Sequence, residues 1–214
     1  MKYKAFLFDL DGVLVDTAKY HYTAWKRLAD ELGIRFDKTL NEAFKGVSRA
    51  RCIELLAEWE GLSFSHEEMT AYADRKNDWY IEMISGLDKS GLLPGALEFL
   101  KYSVEIGIKC AVCSASKNTS PILSRLGITK YFASIVDGNR TQKAKPDPEV
   151  FLLAMHDLDV ENSECVIFED SQAGAEAGKS EGVFVVGIGT KDNIPSANIH
   201  FPDLAHLEMK VLLA

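Results

Sequence analysis

The chain has 214 residues, 47% of them hydrophobic and 26% charged, with 24 Lys and Arg against 32 Asp and Glu for a formal net charge of −8. That balance describes a globular chain with its own core, and it excludes the broad basic face that wrapping nucleic acid or coating an anionic membrane requires. No run approaches the roughly 18 apolar residues of a membrane span, and acidic residues interrupt the N-terminal MKYKAFLFDLDG before a signal core is complete, so a cytoplasmic location is expected.

The first element is a strand over residues 3–8, apolar throughout apart from Lys4. After it comes a long stretch, 16–89, with helical periodicity and no convincing strand. Ala18, Tyr22, Trp25, Leu28, Ala29 and Leu32 recur at steps of three and four before Gly33, the pattern of an amphipathic helix with a stop. Further helices are expected at 40–44, 49–60 and 67–85, the last opened by Ser65 and Glu68 at capping-box spacing. From 90 onward, helices and apolar β-rich runs alternate: helix 96–105, strand 108–113, helix 119–126, strand 134–136, helix 148–158, strand 165–168, helix 172–181 and strand 183–188. Asp147-Pro148 supplies an N-cap followed by Pro at the first helical position. Such alternation predicts right-handed crossovers and a parallel sheet covered on both faces. A 74-residue connection far exceeds what joins two parallel strands. The expected fold is therefore α/β, a Rossmann-like core of 1–15 and 90–214 with an inserted all-helical cap of 16–89.

Four cysteines, Cys52, Cys110, Cys113 and Cys165, include one C-x-x-C. It falls in a strand, where residues three apart point to opposite faces, so reduced core cysteines are expected rather than a metal or redox pair.

Chemistry concentrates where strands end. Asp9 and Asp11 follow the first strand, and period two in an extended chain puts both on one side. Taken alone, Asp-x-Asp-Gly reads equally well as turn chemistry. Glu169 and Asp170 follow another strand, so four carboxylates converge if the two strands are close. Such a cluster calls for a hard cation, and oxygen-only ligands point to Mg2+. Ser171 and these acids equally suit a helix N-terminus. Ser114-Ala115-Ser116-Lys117-Asn118 offers hydroxyls at a third strand end for phosphate oxygens, and Lys145-Pro146 places a cation after the fourth.

The set FDLDG, SAS, KP and ED, in that order, resembles the haloacid dehalogenase superfamily along nearly the whole chain. Cap residues resemble the sugar-phosphate mutases within it: Thr17, His21, the run Lys45-Gly46-Val47-Ser48-Arg49, and Arg75-Lys76-Asn77. The resemblance implies that Asp9 is the nucleophile that becomes an aspartyl phosphate and that Asp11 is the general acid and base. It implies Mg2+ held by the Asp9 carboxylate, the Asp11 backbone carbonyl, Glu169 and Asp170. Ser114 and Lys145 would hold the transferring phosphoryl group, and Arg49 with Ser116, Lys117 and Asn118 the second phosphate. Thr17, His21, Gly46, Val47, Ser48, Lys76 and Ala115 would complete the substrate site, with His21 coupling cap closure to the general acid. Lys76 and Asn77 read either as contacts to sugar hydroxyls or as a solvated helix face. Cys52 stands where a small hydroxyl residue belongs, and the 137–143 loop carries extra positive charge. The implied activity is isomerisation of β-D-glucose 1-phosphate to glucose 6-phosphate through the 1,6-bisphosphate, by a monomer acting on a small sugar phosphate. The alternatives are a sugar-phosphate phosphatase using the same aspartyl phosphate and, outside enzymes, a phosphosugar sensor or phosphoaccepting signalling domain.

Overall fold

The computed structural model describes residues 2–213. Six strands form one parallel sheet: β1 Ala5–Phe8, β2 Lys109–Cys113, β3 Ser134–Val136, β4 Cys165–Glu169, β5 Phe184–Ile188 and β6 Ile199–Phe201. Their spatial order is β3-β2-β1-β4-β5-β6. The first strand is therefore interior, paired with β2 on one side and β4 on the other, with Phe8 level with both Val112 and Phe168. That register brings the chain after Phe8, Cys113 and Phe168 to one edge, the carboxyl end of a parallel sheet where ligands bind.

Helices α1 (Ala18–Glu31), α2 (Lys38–Glu42), α3 (Arg49–Glu60) and α4 (His66–Ile84) lie between β1 and β2, followed by α5 (Ala96–Glu105). The later crossovers carry α6 (Thr119–Leu126), α7 (Glu149–Leu158) and α8 (Gln172–Ser180), and α9 (Lys210–Leu213) follows β6. No helix among the described residues is long and apolar enough to cross a membrane.

The pleat divides the sheet's side chains into two cores. Phe6, Phe8, Phe168 and Val112 pack with Phe99 of α5 on one face, while Ala5, Leu7, Ile167 and Cys113 pack with Phe151 of α7 on the other. Phe8 and Phe168 stack with ring centroids 4.6 Å apart. Each such buried ring contributes about 1.5–3 kcal/mol from the apolar surface it removes from water. Cys110 and Cys113 fall in opposite cores, and all four cysteines are buried and unpaired. The helices between β1 and β2 have a third core, centred on Trp25, Leu28, Phe44, Ile53 and Leu56.

Several boundaries differ from the sequence pattern. Tyr3 packs against Phe184 but lies outside β1, because apolar character extends beyond the paired backbone. Helix α2 begins two residues early, since Asp37 caps it by accepting from the Thr39 and Leu40 amides, both at 3.0 Å. Pro148 is itself the N-cap of α7 rather than its first helical residue, and Asp147 accepts from the Glu149 amide at 3.1 Å. β6 gives no sequence signal: it is three residues long with a histidine at its centre. The Ser65–Glu68 capping box is present at α4 as expected.

Candidate active site

Asp9 leaves β1 with its amide donating to Phe168 O at 2.9 Å, so its side chain is delivered beside β4. Glu169, the last residue of β4, is fully buried there, and Asp170 follows. One carboxylate oxygen from each of Asp9, Glu169 and Asp170 lies within 4.8 Å of the others. Lys145 reaches into this group from the segment before α7. Its ammonium donates to Asp9 Oδ1 at 2.7 Å, to Cys113 O at 3.0 Å and to Glu169 Oε1.

Two glycines make room for the acids. Gly12 adopts φ +87°, and a Cβ there would come within 2.3 Å of Asp170 Oδ2. At Gly174, in the first turn of α8, a Cβ would lie 2.0 Å from Glu169 Cδ. Ser171 caps α8 by accepting from the Gly174 amide at 3.1 Å and donates its hydroxyl to Glu169 Oε2 at 2.8 Å. The cap and the acid site therefore share one hydroxyl.

Asp11 does not join the cluster. Extended geometry ends at Phe8, the chain turns, and Asp11 pairs in an isolated bridge with Val15, so its carboxylate faces the helices instead. There Asp11 Oδ1 accepts from Thr17 Oγ1 and lies 3.7 Å from His21 Nε2. The expected convergence of four carboxylates is thus corrected to three, with Asp11 set apart by its turn.

Burial dominates the protonation of this region. It raises Asp9 well above the ordinary carboxylate range despite Lys145, and it raises Asp11 against the Thr17 hydrogen bond. It pushes Asp170 up to about 7, even though Lys45 lies 3.3 Å from Asp170 Oδ2. Crowded acids held against their charge fit a divalent cation, which would supply the missing positive charge. The donor set fits too, since carboxylate oxygens suit a hard ion better than the thiolates and imidazoles that favour zinc.

A cavity of about 560 Å3 opens above these groups, between the sheet edge and the helices. Asp9, Asp11 and Lys145 line one end, joined by Ser114, whose Oγ accepts from the Ser116 amide at 3.1 Å and so keeps its own proton to donate. Gly46, Val47, Ser48 and Ala115 line the walls. Arg49, Ser116, Lys117 and Asn118 border it as well, and the Asn77 carboxamide oxygen accepts from both Arg49 Nη2 at 2.7 Å and Asn118 Nδ2 at 3.0 Å. That shared oxygen ties α4 and α3 to the loop after β2. Thr17 is buried outside the cavity, where it orients Asp11. Lys76 is buried rather than on a solvated helix face, with its ammonium 2.8 Å from His21 Nδ1.

Three neighbours carried no expectation as site residues. Trp25 lies four residues after His21 on α1, and Tyr80 four after Lys76 on α4, a spacing that places each pair on one helix face. Tyr80 stacks on His21 with centroids 4.0 Å apart, and Lys76 sits over the Trp25 ring. Lys45 occurs in the quoted run without a role, yet it pairs with Asp170. In the cavity wall, Cys52 has its thiol pushed up to about 12 by burial and is therefore uncharged.

A parallel sheet that gathers a buried aspartate, a lysine and two further acids at its carboxyl edge belongs to a recognisable class. Residues 3–182 match the haloacid dehalogenase-like hydrolases, and the chain belongs to that family. Among particular relatives, it is 39% identical over 211 residues to a β-phosphoglucomutase of Bacillus subtilis strain 168, covering 98% of this chain and 93% of that one. It is 32% identical over 182 residues to a phosphorylated carbohydrates phosphatase of Thermotoga maritima, covering 84% and 82%. A crystal structure of β-phosphoglucomutase from Clostridium difficile superposes with a TM-score of 0.94 at 37% identity, covering 99% of this chain and 96% of that one.

Proposed function

We propose that the chain is a phosphomutase that converts β-D-glucose 1-phosphate to glucose 6-phosphate through an aspartyl-phosphate enzyme and β-glucose 1,6-bisphosphate. The observation that supports this reading is one cavity lined by two groups of side chains suited to phosphate. Ser114 and Lys145 flank Asp9 at the first, and Arg49 and Asn118 converge on one acceptor oxygen at the second. A phosphatase requires only the first; a mutase must hold the phosphate that is not reacting. Similarity to two β-phosphoglucomutases supports the same reading.

In the proposed cycle, Asp11 takes the proton of the sugar C6 hydroxyl as that oxygen attacks the phosphoryl group on Asp9, forming the bisphosphate. The bisphosphate turns end for end. An Asp9 oxygen then attacks the phosphorus at C1, and Asp11 returns its proton to the departing C1 oxygen. A raised Asp11, hydrogen-bonded to Thr17, suits a group that must carry a proton for half the cycle. Mg2+ is the proposed cation, held by Asp9, Glu169, Asp170 and the Asp11 backbone carbonyl, where it would neutralise phosphoryl charge. Ser114 and Lys145 hold the transferring group; Arg49, Ser116, Lys117 and Asn118 hold the other, with Arg49 able to grip two oxygens at once.

We take residues 16–89 as a cap closing on a core of 1–15 and 90–214, which excludes water that would hydrolyse the aspartyl phosphate. We take the active form to be a monomer. The test is an assay with Mg2+, β-glucose 1-phosphate and a trace of the bisphosphate, following glucose 6-phosphate and free phosphate together. Glucose 6-phosphate formation far ahead of phosphate release is expected. Rapid phosphate release with no glucose 6-phosphate would replace this reading with the phosphatase.

A further inference from the structure

Lys76 faces the cavity with only 2% of its surface exposed. Its partners are unusual for a buried ammonium: His21 Nδ1 at 2.8 Å, the Trp25 ring centroid at 4.6 Å and the Tyr80 centroid at 5.0 Å. Lys145, equally buried, sits between two carboxylates. The two lysines diverge accordingly. Burial works against the charge on both, but Asp9 and Glu169 hold Lys145 well above the ordinary lysine range. Burial is the main cause that lowers Lys76 to about 7, with repulsion from Arg49 adding to it and Asp11 opposing it.

The imidazole sets the direction of the hydrogen bond. Its Nδ1 is the ring nitrogen within hydrogen-bond reach of the Lys76 nitrogen, while Nε2 faces Asp11 Oδ1 at 3.7 Å. In its uncharged form Lys76 donates an N–H to Nδ1 and keeps its lone pair for an electrophile in the cavity. Sugar phosphates with a free aldehyde are electrophiles of that kind.

We propose that Lys76 is a covalent capture site for open-chain aldose phosphates, which it binds as imines. Its nitrogen adds to the aldehyde carbon, with His21 Nδ1 accepting a proton from the nitrogen as the carbinolamine forms. The carbonyl oxygen then leaves as water with the two protons the amine gives up, and the C=N bond is complete. Nothing is oxidised or reduced, and hydrolysis reverses the step. Arg49 and Asn118, already joined through Asn77, supply the anchor for the phosphate. The inference rests on the proposed function only for that anchor. Its consequence is slow, reversible inhibition by aldose phosphates that cannot close a ring over their aldehyde.

Erythrose 4-phosphate is such a probe, because its phosphate occupies the oxygen that would close a furanose. The full chain loaded with Mg2+ is incubated with erythrose 4-phosphate and cyanoborohydride, then mapped by peptide mass spectrometry beside an incubation with erythrose. The expected result is a reduced adduct on Lys76, at least about tenfold more abundant with the phosphate than without, the equivalent of about 1.4 kcal/mol of anchoring. Inorganic phosphate should suppress it, and K76R should lack it. Adducts spread over exposed lysines with Lys76 unmodified would overturn the proposal, as would equal labelling by erythrose. The wild-type map decides the question even if K76R fails to fold. Turnover of β-glucose 1-phosphate by unlabelled protein separates the two ideas. Turnover without an adduct overturns capture alone, and an adduct without turnover supports capture and overturns the mutase reading.

Discussion

Replacing Lys145 by Met should expose how far the acid cluster depends on one cation. The lysine side chain is 1% exposed, and its partners Asp9 and Glu169 are 8% and 0% exposed. Met keeps the packing of the stem and deletes the charge. At 2.7 Å and an effective dielectric near 20, the gross attraction to Asp9 alone is about 6 kcal/mol, but most of that offsets desolvation. Removing one partner of a buried ion pair typically costs about 3–5 kcal/mol, because a charge remains buried and uncompensated. For a chain of this length that is a fall in melting temperature of roughly 6–20 °C. The loss should depend on pH. Lys145 is what lowers Asp9 against burial, so Asp9 rises further in the variant. A carboxyl raised in the folded state contributes stability that is present below its unfolded value of about 4 and lost as pH rises through the folded value. The difference between variant and wild type should therefore be largest near pH 8 and shrink toward pH 5. Urea denaturation of both proteins without divalent ions, at several pH values, measures this. A difference below about 1 kcal/mol at pH 8, or one that grows on acidification, would refute the reasoning.

Asp9→Asn should abolish turnover while leaving the melting temperature near or above wild type, since it removes a carboxylate that burial disfavours; thermal denaturation beside the coupled assay checks both. Gly174→Ala drives a methyl group into Glu169 and should cost about 1–3 kcal/mol and weaken divalent-ion affinity by roughly 10–100-fold, whereas Ala at Gly86, which has open space, should change stability by less than about 0.5 kcal/mol. Calorimetric titration with Mg2+ compares them. Arg49→Ala should lower kcat/KM for β-glucose 1-phosphate by about 10–150-fold, the loss of a charge-assisted phosphate contact, while Asp9 still accepts phosphate from acetyl phosphate. Chelation of divalent ions should stop turnover, and re-addition of Mg2+ at about 100 times its dissociation constant should raise stability by about 2.7 kcal/mol.

The core was readable in the sequence because its signals are local. Apolar runs of four or five residues end directly in Asp9, Ser114 and Glu169, so strand ends and chemistry mark each other. Motifs alone could not reveal the turn after Phe8, which removes Asp11 from the acid cluster and hands it to Thr17. That outcome depends on the bridge to Val15 and the packing of α1. The environment of Lys76 was equally hidden. A lysine on a helix reads as solvated until tertiary packing lays α1 against α4 and closes His21, Trp25 and Tyr80 around it. Asn77 illustrates the same limit, since its partners are 28 and 41 residues away. β6 escaped because three half-buried residues make no periodic pattern.

The most direct test of the central chemistry is to locate the phosphoryl group. The protein, mixed with Mg2+ and β-glucose 1,6-bisphosphate labelled in its phosphates, is quenched in acid, digested and sequenced by mass spectrometry. Phosphate on Asp9, discharged to glucose bisphosphate when β-glucose 1-phosphate is added before the quench, is the expected result. Phosphate on any other residue, or a protein that turns over substrate with Asp9 never labelled, would contradict it.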